Sequence, residues 1–248
     1  MKRILAMMLT VALATMMSGC IQMHMDTEVK KDGSGTMEMT MSLSKVVTEA
    51  IAELGTEGMD DDLSGIDTMM DRDKKDVEKD LEGIDVDLVK YESGMVDGRE
   101  TVQVVLKFKD LENLSLALRE VMDGDDPGMA ILDAGDGNLV LTKYDYNWPA
   151  KEEDDEVEEA EEEAMEDFNS EDMEKQMAMM GKLMGAMGEM DISMKITVPG
   201  DIVESNAPLV EGRTSIWTIN AENMMSGDTD MEPNIVFSGK GLKIKTAE

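Results

Sequence analysis

Few residues of this 248-residue chain carry reactive side chains, and each type points to different chemistry. Cys20 is the only cysteine. Its thiolate is the most reactive nucleophile available, while a lone thiol excludes an intramolecular disulfide and a multi-thiolate metal site. Met173, Met177, Met180, Met184 and Met187 are spaced 4, 3, 4 and 3, the seam rhythm of a helix, and Met179, Leu183 and Met190 widen the stripe. Thioether sulfur is a soft ligand, so a Cu(I) site is one reading. The other is an apolar helix face packing on a sheet, a partner or lipid, and the chain's 28 methionines favour it. Gly181 and Gly185 weaken that helix or let another approach it closely. His24 is the only histidine, so a Ser-His-Asp arrangement would have to recruit it; no G-x-S-x-G, Walker or Rossmann glycine pattern occurs. The calcium-loop pattern fails too. In DGDDPG, Pro127 takes the third ligand position and Ala134 the bidentate one, and DTDME at 228–232 lacks its glycine. No catalytic residue, resident metal or cofactor is expected.

Around Cys20 the order of residues is that of an export signal. Lys2 and Arg3 precede fourteen uncharged residues, ILAMMLTVALATMM, then Ser18, Gly19 and Cys20. Fourteen residues are short of the roughly 20 that span a bilayer, which predicts removal of 1–19 rather than retention. MSGC resembles a bacterial lipobox, with Met17 where Leu is usual. The resemblance implies a diacylglyceryl group on the Cys20 thiol, cleavage before Cys20 and acylation of the new amine. One acyl chain binds a membrane only marginally, at about 0.8 kcal/mol per methylene, whereas the three chains of that family hold a protein there. Ile21 rather than Asp follows Cys20, which favours the outer membrane in a cell that has one.

Net charge is −33, and near −35 once Lys2 and Arg3 are gone, with 21 basic against 56 acidic side chains. Such a chain lacks the basic patches that nucleic acid requires. It is also repelled by anionic lipid, so the covalent anchor must hold the membrane.

The elements that would carry these residues follow from periodicity. Met23, Met25, Thr27 and Val29 alternate with polar residues; after KKDGSG, Met37, Met39, Met41 and Leu43 do the same, a hairpin signal. His24 falls on the polar face. Ser44 is a candidate cap for a helix to about Leu54, with Val47, Ile51 and Leu54 on one face. A second helix is expected from Asp73 to Leu81. Residues 84–92 and 100–109 form a second hairpin across ESGMVDGRE, followed by a helix over 110–122 with Asp110 as cap. Residues 129–133 and 138–147 form a third around DAGDGN. Residues 151–174 hold fifteen acidic side chains and one lysine, a solvated anionic insert. Strands return at 191–198, 213–220 and, more weakly, 234–245. The expected fold is α+β: an antiparallel β-sheet built from hairpins with packed helices, plus an acidic Met-rich helical insert. The expected divisions are 1–19 (signal), 20–148 (first part of the domain), 149–190 (insert) and 191–248 (completing strands).

MDTEVKKDGSGTMEMTMSLS and ISMKITVPGDIVESNAPLVEGRTSIWTI together resemble the LppM-type domain of bacterial lipoproteins. The likeness covers roughly 21–148 and 191–220, and its recurring unit maps to Pro199, Gly200, Val203, Ser205, Asn206, Gly212 and Trp217. It implies an exported, membrane-anchored α+β domain; the insert departs from it. The expected function is non-catalytic binding of an envelope lipid, glycolipid or protein, with the membrane reached through Cys20. The alternative is periplasmic copper handling by the Met-rich helix. Trp217 is expected either in the core or as an aromatic wall of a lipid-sized pocket, and Trp148 in a wetter setting.

Overall fold

The computed structural model describes residues 21–54, 70, 72–122, 128–148, 181, 190–220, 223 and 231–247. Strands β1 (Ile21–Val29) and β2 (Gly35–Ser44) form the first hairpin, in register from Ile21↔Leu43 to Val29↔Gly35. Their alternation sorts the side chains. Met37, Met39, Met41 and Leu43 are buried; of the intervening residues Glu38 is exposed, Thr40 half-buried, and Ser42 buried with its Oγ 2.9 Å from Thr101 Oγ1. Helix α1 (Lys45–Leu54) follows at once. Ser44 does not cap it: the residue closes β2, and its buried Oγ makes no hydrogen bond. Val47 is buried as expected; the side chains of Ile51 and Leu54 lie outside the described residues.

Helix α2 (Lys74–Asp80) has a complete capping box. Asp73 Oδ1 accepts from the Lys75 and Asp76 amides at 2.7 and 3.1 Å, and Asp76 returns the bond to the Asp73 amide. Those amide bonds, that of Asp76 first, hold the Asp73 carboxyl below its ordinary range. Val77 and Leu81 are buried. Strands β3 (Val86–Val96) and β4 (Arg99–Phe108) correct the expected loop. The chain stays extended through Gly94 and Met95, and the turn is only Asp97–Gly98, at φ 51° and 80°. Both residues are left-handed, as a two-residue type I′ turn requires, and its twist matches the strands. Helix α3 (Leu111–Met122) is capped by Asp110, whose Oδ1 accepts from the Asn113 amide at 2.9 Å. Strands β5 (Gly128–Gly135) and β6 (Asn138–Tyr144) turn at Asp136–Gly137 in the same way as β3 and β4.

The C-terminal part adds β7 (Met190–Thr197), β8 (Ile202–Ser205), β9 (Leu209–Glu211), β10 (Thr214–Asn220) and β11 (Asn234–Ser238). The last strand is shorter than expected. Beyond it the chain turns, and the Lys243 and Ala247 amides donate to the Lys31 and Ile131 carbonyls at 2.8 and 3.0 Å.

Two sheets result, not one. The larger runs β3-β4-β2-β1-β7-β10-β9 and the smaller β5-β6-β11-β8. The expectation of purely antiparallel pairing is also corrected: β1 and β7 are parallel, from Ile21↔Met190 to Glu28↔Thr197. No hairpin could have joined them, because parallel partners need a crossover. The α+β class holds. Residues of both sheets and of the helices share one apolar core, running from Met37 and Trp217 to Leu141 and Phe237. No helix among the described residues is long and apolar enough to cross a membrane.

Candidate functional site

Cys20 lies outside the described residues, but the residue after it fixes where it joins the fold. Ile21 opens β1 with its side chain buried. Reading across the sheet from Ile21, the same row contains Leu43, Glu100 and Met95 on one side and Met190 on the other. One step further out, Ser44 pairs with Arg99, and Arg99 with Val96. Arg99 Nη1, like Ser44 Oγ, is buried without a hydrogen-bond partner. This is one end of the larger sheet, and the β3–β4 turn is its outermost described point. All five methionines of the 173–187 series lie outside the described residues, as do nearly all of the insert 149–190 and the acidic stretches 123–127 and 224–230; Met190, which widens the series, is the first residue of β7. Among the described residues no three His, Cys, Asp or Glu side chains gather to hold a metal.

The opposite end holds a half-open cleft of ≈190 Å³. Asp32 and Gly33 of the first turn, Lys109 and Leu111 at the start of α3, Tyr146 and Ile244 of the tail line it. Its volume is below the roughly 300 Å³ at which small-molecule pockets begin. The Tyr146 hydroxyl donates to the Met129 carbonyl at 2.8 Å. Burial first, then the carboxylates of Glu112 and Asp110, push its phenol above the ordinary range. The Lys109 ammonium is raised by its hydrogen bond to Asp85, at 2.8 Å. Tyr146 also stacks on Trp148, centroids 4.8 Å apart and 17° between planes, and Tyr144 meets Tyr146 edge-on. Arg119 lies 5.7 Å from the Trp148 ring. Trp148 is therefore half-buried and stacked rather than wet. Alternate aromatics at 144, 146 and 148 carried that signal in the sequence, since every second residue of an extended chain shares a face.

His24 is exposed on the polar face, as expected, and its Nδ1 lies 2.7 Å from Ser193 Oγ, its neighbour across the parallel pair. Asp26, Glu38 and Lys195 share the shallow hollow around them. The residues of the 199–217 unit have a structural part. Ser205 Oγ meets Ser215 Oγ at 2.9 Å, Asn206 exchanges backbone and side-chain bonds with Asn234, and the Arg213 guanidinium donates to the Pro199 carbonyl. The serine pair joins β8, in the smaller sheet, to β10, in the larger, while the asparagine pair ties the end of β8 to β11. Trp217 is 1% exposed and lines none of the described clefts, so the core reading holds and the aromatic-wall reading does not. Its Nε1 has no hydrogen-bond partner.

No family model matches the chain, and no curated protein matches it. Among solved structures, the folded domain of LppM from Mycobacterium tuberculosis, determined by NMR, is similar with a TM-score of 0.42 at 9% identity. The match covers 89% of this chain and 91% of that one. The likeness is distant.

Proposed function

We propose that the chain is a lipid-anchored protein of the bacterial envelope whose α+β body binds an envelope lipid, glycolipid or protein without catalysing a reaction. The observation that carries this reading is the passage from MSGC directly into β1, with no spacer between Cys20 and buried Ile21. An acyl group on Cys20 would hold the first strand at the bilayer.

Fatty-acid labelling of cells expressing the wild type and Cys20→Ala tests the anchor. Label on the wild type alone is expected; equal label on both sinks the reading. Native mass spectrometry of the detergent-extracted protein tests the ligand class. Retained lipid or protein mass agrees with the proposal, and stoichiometric copper binding would replace it with metal handling.

A further inference from the structure

Large apolar side chains are exposed at only a few described positions, and three of them gather at the end of the larger sheet where Cys20 joins. Met95 is 66% exposed, Val96 55%, and Val46, in the first turn of α1, 45%. Register places them. Met95 shares the row of Ile21, and Val96 sits one residue further out, in the row of Ser44 and Arg99. At about 3.4 Å per residue, Asp97 and Gly98 reach roughly 7 Å beyond the row of Ile21, the residue to which Cys20 is bonded. Three strand spacings, about 14 Å, separate β1 from β3. A lipid on Cys20 therefore draws the hairpin tip to the bilayer as well.

We infer that the β3–β4 hairpin tip is a second, non-covalent foot, seating Met95 and Val96 in the lipid interface beside the anchor. This rests on the lipoprotein reading of Cys20. The occupant is lipid rather than a protein face for a geometric reason. Successive strand residues point to opposite faces, so Met95 and Val96 flank the ribbon on both sides. A docked protein surface would cover one and leave the other in water; an acyl boundary surrounds both. Asp97 in the turn sets the depth, because a carboxylate is costly in hydrocarbon. The seat is at the headgroup–acyl boundary, where amphipathic segments lie. The chain's −33 charge supplies no electrostatic attraction to anionic lipid, so apolar contact is what this foot has to offer.

The test uses the full chain, extracted from membranes and returned to phosphatidylcholine vesicles whose acyl chains are brominated near the headgroup. A polarity-sensitive dye is attached at Met95→Cys, or at Lys31→Cys in the turn at the far end of the sheet. Intact mass reports the acyl groups on Cys20 independently. About a twofold or greater quenching at position 95, with none at 31, is expected for a boundary seat. Acylated protein unquenched at 95, or quenched equally at both positions, overturns the foot while leaving the anchor. Protein without acyl mass that is still quenched at 95 keeps the foot and removes the anchor. Protein without acyl mass and without quenching overturns both. Val96→Asp in the position-95 background should abolish the quenching with the far-UV spectrum unchanged; undiminished quenching would overturn the assignment.

Discussion

Single side chains in this fold carry unequal weight. Trp217 is the largest fully buried residue of a core whose only other fully buried aromatics, among the described residues, are Phe108 and Phe237. Trp217→Ala should cost about 3–5 kcal/mol, read from urea midpoints. Trp217→Phe should cost much less, since it also removes an indole N–H buried without a partner. Equal losses in the two variants would contradict this. Tyr146 makes a pH-dependent contribution. Its folded phenol titrates above the ordinary value of 10.0, so the folded chain keeps a proton that the unfolded chain releases. That stability is whole below about pH 10 and is lost as pH rises from there toward the folded value. Tyr146→Phe gives up one hydrogen bond, about 1 kcal/mol near neutrality, and the gap to the wild type should narrow in alkali. A gap that stays constant from pH 8 to about pH 10.5 counts against it. Cys20 stands out as a candidate anchor because the residues that mark it, Ser18 and Gly19, are its immediate neighbours. Met95 and Val96 are not, because they read as loop between Gly94 and Gly98 until pairing with Glu100 and Arg99 aligns them with Ile21.

At the scale of elements, period-2 alternation makes β1, β2, β4, β7 and β10 legible, since each has one buried face. Pairing is less so. The parallel contact of β1 with β7 leaves no turn between its partners for a sequence pattern to mark. The β8 excursion into the smaller sheet is equally silent, because strand propensity does not say which sheet a strand joins. Two glycines show how differently hairpins depend on this residue. A Cβ at Gly35 would overlap the Glu28 carbonyl and the Phe108 ring, where three strands and a buried aromatic meet. Gly35→Ala should cost about 3 kcal/mol or more, at the upper end of overpacking. A Cβ at Gly98 meets nothing, so Gly98→Ala bears only the left-handed backbone, about 1 kcal/mol. Thermal melts of the two variants should rank them in that order; the reverse order would displace Gly35 from the strand junction.

For the molecule as a whole, charge and core are unevenly distributed along the chain. Fifteen carboxylates within 151–174 cannot bury enough apolar surface to offset their ordering entropy. Joining Pro149 to Asn169 should leave the melting temperature of the body nearly unchanged, and loss of cooperative unfolding would place the acidic stretch in the core. The parallel pair has a consequence in time. His24 and Ser193, side by side in the finished sheet, are 169 residues apart in the chain. In a chain delivered from its N-terminus, β1 finds β2 almost immediately, yet its other edge stays open until the last quarter of the polypeptide arrives. An unpaired edge is a template for another chain, and distant pairings form slowly. On the proposed anchoring at Cys20, the strand nearest the membrane is thus the one that waits longest for its neighbour. During that wait it needs a holdase, or dilution in the plane of the lipid, to escape its own copies.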